Sequence, residues 1–284
     1  MQFTLALAQT KHPQDGDVVA LVQQWASRAA QAGAQLLVFP ESLMSRYEID
    51  RGDFIAQSQP VGGPFCQAVE AVAVRYGLWI LYTMNELNTG DAECSALDLD
   101  MDEDCDSLNA GSLLRPFNTA ILVDDQGVRR GVYRKVHLFD TDFTQESSRM
   151  SAGDVLFNPI DTPFGRIGMA ICYDLRFPEV ARFAALRGCD LMIYSAAWVD
   201  GPQKVEQWRS LLAARAVENQ MYVAGLSRCD KGYIGNSAVY GPDALPIAQA
   251  GSGEELLLCS LDCCNLADFR AKMPVLEHRR PALY

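Results

Sequence analysis

Three side chains in this sequence have the types needed for nucleophilic chemistry: Cys172, Glu41 and Lys135. A cysteine nucleophile needs a base or cation that generates its thiolate, and donors that stabilise an oxyanion. Glu41 could deprotonate the thiol and later a water molecule, while Lys135 could stabilise the thiolate and the oxyanion. The backbone N–H of Tyr173 could supply a second oxyanion donor. Each side chain also has a purely structural alternative: packing for Cys172, turn capping for Glu41 and solvation for Lys135.

His137 is a second candidate base for the same cysteine, because imidazole is the commonest general base. It lies two residues after Lys135, so the two side chains would share one face of an extended segment. A nearby ammonium disfavours a proton on the imidazole and weakens it as a base. The residues therefore favour Glu41 as the base and leave a Cys–His pair as the alternative.

The elements around Cys172 predict how the nucleophile is held. Ile167 to Ile171 is an apolar run with the length of a buried strand, and it turns polar at Cys172. Pro178 favours the start of a helix, since proline is tolerated at the first helical position. Such a strand–turn–helix junction is similar to a nucleophile elbow. Glu41 also follows a predicted buried strand, residues 35–39, so both side chains belong at the carboxyl edge of a sheet, where open α/β folds bind ligands.

Strands and helices alternate along the chain, interrupted by hairpin-like strand pairs. Hairpins are predicted at 118–133, around Gly127, and at 155–171, through Pro163 and Gly165. Helices are predicted after an Asp17 N-cap and at Pro64–Tyr76, Pro178–Arg187, Val205–Asn219 and Leu261–Lys272. This pattern favours a layered α/β sheet fold over an eightfold barrel.

Composition limits the classes of function. The 284 residues are 49% hydrophobic and 21% charged, and no linker or repeat divides them, which predicts one domain over residues 1–284. The net charge of −12 argues against binding to nucleic acids and to anionic membranes. No apolar run approaches the roughly eighteen residues of a membrane helix. The chain has nine cysteines, and no secretory signal peptide is expected from its sequence. These two features indicate free thiols in a reducing cytoplasm.

Metal binding is not expected from the sequence. There is no CxxC pair and the three histidines are scattered, which argues against zinc. An acidic insertion at about 88–115 faintly resembles a calcium loop, but Glu103 stands where that loop needs glycine. A solvated surface insertion is the favoured interpretation. A basic, proline-marked tail at 274–284 is typical of segments that pack on a neighbouring subunit.

Three stretches resemble the three signatures of the nitrilase superfamily of carbon–nitrogen hydrolases, in the same order and at similar separations. They are Phe39–Glu41, Tyr133–Phe139 and Cys172–Glu179. The last of these is most similar to the omega-amidase and related Nit-type amidase branch. The resemblance covers nearly the whole chain and implies a four-layer α-β-β-α sandwich that pairs into a homodimer.

The resemblance also implies roles for individual residues. Glu41 is expected to be the general base, Lys135 the oxyanion stabiliser and Cys172 the nucleophile, with Glu146 as a supporting second glutamate. The residues expected to contact the substrate are Tyr173, Arg176, Ala196, Ala197 and Trp198. For Arg176, a carboxylate anchor competes with an ion pair to Glu179 or a dimer contact.

The expected reaction is hydrolysis of a small linear amide, with a carboxylate on the substrate, a cysteine thioester and release of ammonia. Water is the second reactant, and no metal or cofactor is implied. An N-carbamoyl amidohydrolase or a nitrilase would use the same triad and is the alternative. A non-catalytic member that binds a protein partner through the acidic insertion is a further alternative, against which the intact triad argues.

Overall fold

The computed structural model describes residues 2–14, 16–45, 51–90 and 114–283. Its strands are β1 (Gln2–Gln9), β2 (Leu36–Val38), β3 (Trp79–Glu86), β4 (Phe117–Val123), β5 (Arg129–Arg134), β6 (Ile160–Thr162), β7 (Gly165–Ile171), β8 (Leu191–Ala196), β9 (Tyr222–Ser227), β10 (Ala238–Tyr240), β11 (Pro246–Gln249) and β12 (Glu255–Asp262). Its helices are α1 (Val18–Gln31), α2 (Arg51–Gln57), α3 (Pro64–Tyr76), α4 (Pro178–Ala185), α5 (Lys204–Asn219) and α6 (Cys264–Lys272). Short 3₁₀ helices lie at Glu146–Ser148, Cys172–Arg176 and Pro281–Leu283.

The strands form two six-stranded mixed sheets, in the orders β12-β1-β2-β3-β4-β5 and β11-β10-β9-β8-β7-β6. Strands β1, β2 and β3 run parallel in the first sheet, and β7, β8 and β9 run parallel in the second. The outer pairings, such as β1 with β12 and β9 with β10, are antiparallel. Each sheet therefore has a parallel centre whose carboxyl ends meet at one edge.

The side chains of β1 show how the layers form. Phe3, Leu5 and Leu7 pack into the core between the two sheets, while Ala6 and Ala8 pack against α1 and α3 on the other face. This alternation follows from the two-residue period of a strand. On the far side of the second sheet, α4 and α5 bury an apolar face against it. The result is the predicted four-layer α-β-β-α sandwich.

Two of the predicted element boundaries are wrong by three residues or more. Residues 155–159 are not in a strand, because Pro159 has no N–H for a ladder, and the hairpin is confined to β6 and β7. The last helix begins at Cys264 rather than Leu261, since Leu257, Cys259 and Leu261 alternate inward as part of β12. The edge strand β11 was not predicted from the sequence.

Most of the acidic insertion, residues 91–113, lies outside the described residues. The described part of the tail contacts its own chain: the Val275 N–H donates to Gln220 Oε1, at 3.2 Å, and Leu276 packs on the core. None of the helices in the described ranges combines the length and apolar character required to cross a bilayer.

Candidate active site

Cys172 stands at the carboxyl end of β7 in the predicted strand–turn–helix junction. Its φ of 47° lies in the left-handed region, which a non-glycine residue occupies only when its surroundings hold it there. The side chain of Asp174 helps to hold this turn, since its Oδ2 accepts the N–H of Ile171 at 2.9 Å. A 3₁₀ helix begins at the cysteine and leads to Pro178, the first residue of α4. The thiol is thereby fixed at the edge of the second sheet.

The first sheet supplies the charged groups that face this edge. Glu41 follows β2, and Lys135 follows β5 directly. The Lys135 ammonium donates to Glu41 Oε1 at 2.9 Å and to Glu146 Oε2 at 2.7 Å. All three side chains are at most 2% exposed. A buried charge without a partner is costly, and here the shared ammonium is the partner of both carboxylates. The three groups therefore fix one another in place.

Further hydrogen bonds orient the two carboxylates. Glu41 Oε1 also accepts from the Asn118 side-chain amide at 2.8 Å, and its Oε2 accepts the N–H of Ala197 at 2.7 Å. Ala197 follows β8, so Glu41 is held by both sheets. Glu146 Oε2 accepts the N–H of Phe139 at 2.7 Å, which closes the loop that leaves Lys135. Both carboxylates are therefore aimed by donors as well as by charge.

The Cys172 thiol is buried beside these charges. Burial and the nearby Glu41 carboxylate raise the pKa of the thiol well above its usual value, and Lys135 opposes them. The thiol and Glu41 line the same cavity. At neutral pH the resting cysteine is consequently protonated, and attack on a substrate requires a base that takes its proton as the bond forms. Glu41 is in position to act as that base.

His137 does not lie at this site. Its Nδ1 pairs with Asp174 Oδ1 at 2.8 Å, and its ring stacks on Phe177 with the centroids 3.7 Å apart. Its backbone N–H donates to the same carboxylate oxygen. The imidazole joins the segment after Lys135 to the cysteine turn and does not contact the catalytic cavity, so the alternative of a Cys–His pair is wrong.

A cavity of about 210 Å³ opens above the thiol, large enough for a small organic molecule. Of the predicted site residues, those that line it are Glu41, Lys135, Cys172, Tyr173, Arg176, Ala197 and Trp198. Glu146 acts from behind Lys135. Ala196, the last residue of β8, was predicted to contact the substrate but is not among the residues that line the cavity.

Arg176 lines the cavity as predicted, and the ion pair to Glu179 that was its alternative does not form. Its guanidinium donates to Gln207 Oε1 at 2.9 Å and lies 4.8 Å from the ring centroid of Trp198.

Other residues that line the cavity were not predicted from the sequence, namely Phe139, Phe143, Thr144, Val199, Lys204 and Tyr233. No role was assigned to Asn118 either. Only Phe139 and Asn118 lay in stretches that the motifs singled out; for the loop and helix residues the sequence carries no comparable signal.

Known proteins are similar to this chain in sequence and in fold. The carbon–nitrogen hydrolase model matches residues 4–271. The chain is 33% identical over 295 residues to omega-amidase NIT2 of Homo sapiens, with 99% of this chain and 96% of that protein covered. It is 29% identical over 254 residues to the deaminated glutathione amidase of Escherichia coli O157:H7, with 89% and 88% covered. The crystal structure of Saccharomyces cerevisiae Nit3, of the nitrilase superfamily, has a TM-score of 0.78 and 28% identity, with 98% and 97% covered.

Proposed function

The chain belongs to the carbon–nitrogen hydrolase family, and from that premise we propose that it hydrolyses a small linear amide bearing a carboxylate. The single observation that carries the proposal is that Cys172 lines one cavity with Glu41 and Lys135, whose side chains form a buried ion pair at 2.9 Å. A nucleophile, a base and a cation are thus joined in one buried cluster.

The chemistry proceeds through a thioester. Cys172 attacks the amide carbon while Glu41 takes the thiol proton, and the carbonyl oxygen becomes an oxyanion held by Lys135 and the Tyr173 N–H. The C–N bond then breaks, and Glu41 passes its proton to the nitrogen, which leaves as ammonia. Glu41 next takes a proton from water, and the resulting hydroxide attacks the thioester carbon. The acid leaves as the sulfur regains its proton.

Arg176 supports the carboxylate on the substrate. It follows Cys172 by four residues, within the same 3₁₀ helix, and lines the cavity. Its hydrogen-bond partner, Gln207, is neutral, so the positive charge remains available to an anionic group. The names of two similar proteins, omega-amidase and deaminated glutathione amidase, also support an amidase. N-carbamoyl hydrolysis and nitrile hydrolysis would use the same cluster and are the alternatives.

The test is ammonia release from a panel of compounds, with Cys172→Ala as the matched control. The panel contains succinamate, its neutral methyl-ketone analogue levulinamide, an N-carbamoyl amino acid and an aliphatic nitrile. We expect wild type to release ammonia fastest from succinamate, and Cys172→Ala to release none. Fastest release from the carbamoyl compound or the nitrile would replace the amide assignment. An inert wild type would favour the partner-binding alternative, and an active Cys172→Ala variant would remove the cysteine mechanism.

Three further expectations extend this proposal. Residues 1–284 act as one catalytic domain, because the family match spans both sheets and both contribute to the cavity. The protein pairs into a homodimer and works in the cytoplasm, as the resemblance to the superfamily implies. Sedimentation of the purified protein and fractionation of cells test the last two expectations.

A further inference from the structure

A third cation, besides Lys135 and Arg176, lines the cavity. Lys204 is the first residue of α5, is half-buried, and shares the cavity with Arg176 and Cys172. Its ammonium lies 5.8 Å from the ring centroid of Phe139, on the loop that leaves Lys135. We propose that Lys204 is a specificity-determining residue that binds the substrate carboxylate together with Arg176. This inference rests on the proposed amidase function.

The two cations have no carboxylate partner among the described residues. Several other arginines in partly or fully buried positions do have one: Arg215 pairs with Glu218, Arg228 with Asp230 and Arg270 with Asp190. The chain has 36 acidic and 24 basic side chains, so acidic partners are abundant. Arg176 and Lys204 line one cavity together and neither has a carboxylate partner in the described part of the chain, so this cavity is where a negative charge would be accommodated.

The arrangement is unfavourable without a bound anion. Burial, together with the charge of Arg176, lowers the pKa of the Lys204 ammonium. The first position of a helix also disfavours a cation, because the amino end of the helix dipole is positive. An anion between the two side chains would relieve both effects. A carboxylate is suited to this position, since it accepts a bidentate contact from a guanidinium and a further bond from an ammonium.

The cavity limits the rest of the ligand. At about 210 Å³ it holds a short molecule, with the amide at Cys172 and the carboxylate at the two cations. Phe139, Trp198 and Val199 give it apolar walls suited to a methylene chain. The class of substrate is therefore the monoamide of a short dicarboxylic acid.

Lys204 could instead act on the reaction centre, because its charge also interacts with the Cys172 sulfur. The two roles give different results with a neutral substrate. A lysine that stabilises the thiolate assists every amide, whereas a lysine that binds the carboxylate assists only the anionic one. Levulinamide has nearly the shape of succinamate without its charge, so the pair separates the two roles.

The experiment compares Lys204→Met, Lys204→Arg and the control Lys272→Met, which removes the same charge from an exposed position on α6. We expect kcat/KM for succinamate to fall about tenfold to a hundredfold in Lys204→Met, mainly through KM. The loss for levulinamide is expected to be much smaller. Lys204→Arg should retain most of the preference for succinamate, and Lys272→Met all of it. Equal losses on the two substrates, or no loss on either, would overturn the inference.

A binding measurement separates this inference from the proposed function. Calorimetric titration of Cys172→Ala with succinate, which is not hydrolysed, should give a dissociation constant that rises about tenfold or more when Lys204→Met is added. If wild type hydrolyses no amide but succinate binding depends on Lys204, the proposed function fails and the anion site stands. If amides are hydrolysed but neither succinate binding nor substrate preference changes in Lys204→Met, the proposed function stands and the anion site fails. Circular dichroism of each variant identifies any loss of binding that comes from misfolding.

Discussion

The floor and the rim of the cavity differ in whether their positive charges are paired with carboxylates. On the floor, which comprises Glu41, Lys135, Glu146 and Cys172, the ammonium is in contact with both carboxylates, and every group is buried. On the rim, which comprises Arg176 and Lys204, two half-buried cations have no carboxylate partner among the described residues. The floor is electrostatically complete before substrate arrives, as a preorganised catalytic site requires. The rim has no such countercharge within the described ranges, and we therefore propose that reaction takes place at the floor and that the rim selects the substrate.

Variants of the floor should impair the hydrolysis of every amide, whereas variants of the rim should impair only the hydrolysis of anionic amides. The largest effect is expected for Lys135→Met, which leaves two buried carboxylates without their shared cation. We expect a loss of about 3–5 kcal/mol in the free energy of unfolding and a fall of about 10²–10³-fold in kcat. Denaturant unfolding and kcat on succinamate and levulinamide measure these effects, with Lys204→Met as the rim control. A loss confined to succinamate would contradict this difference, because it would mean that Lys135 binds the substrate carboxylate.

An intermediate effect is expected for Asn118→Ala, which removes one donor from the Glu41 carboxylate. A hydrogen bond to a charged group is worth enough to lower kcat about tenfold on both substrates. Thr119→Val is the matched control, because Thr119 Oγ1 donates at 2.6 Å to the buried carboxylate of Glu86, away from the cavity. That control should cost stability and leave turnover intact. Equal kcat values for Asn118→Ala and wild type would show that the Ala197 N–H and Lys135 suffice to aim Glu41.

The smallest effect concerns pH at the rim. The lowered pKa of Lys204 means that its charge is fully present at neutral pH and is lost as pH rises, before an ordinary lysine would titrate. The groups that act on it are Arg176, which stays charged, and Cys172, which reacts with both substrates. KM for succinamate should therefore rise at alkaline pH relative to KM for levulinamide, and Lys204→Arg should abolish the difference. Parallel profiles for the two substrates in wild type would contradict this assignment.

The two regions also differ in how far the sequence predicted them. Glu41, Lys135 and Cys172 each follow a strand in a recognisable motif, so their meeting at one sheet edge could be expected from local patterns. Lys204 carries no such signal, since it is one of several lysines and opens a helix that the periodicity predicted only as an amphipathic element. Asn118 was noted as part of a motif, but its contact with Glu41 spans 77 residues of sequence.

The alternation of strands and helices, the layered fold and the three candidate reactive side chains could be predicted from the sequence alone, because strand and helix periods and strand-end motifs are local properties of a chain. The tertiary structure decided which neighbour each side chain contacts. It turned His137 towards Asp174, away from the cavity, gave Arg176 a neutral partner in Gln207 in place of Glu179, and brought Lys204 to the cavity wall. These outcomes depend on how two sheets and α5 pack against one another, and packing is set by contacts between segments that are distant in sequence.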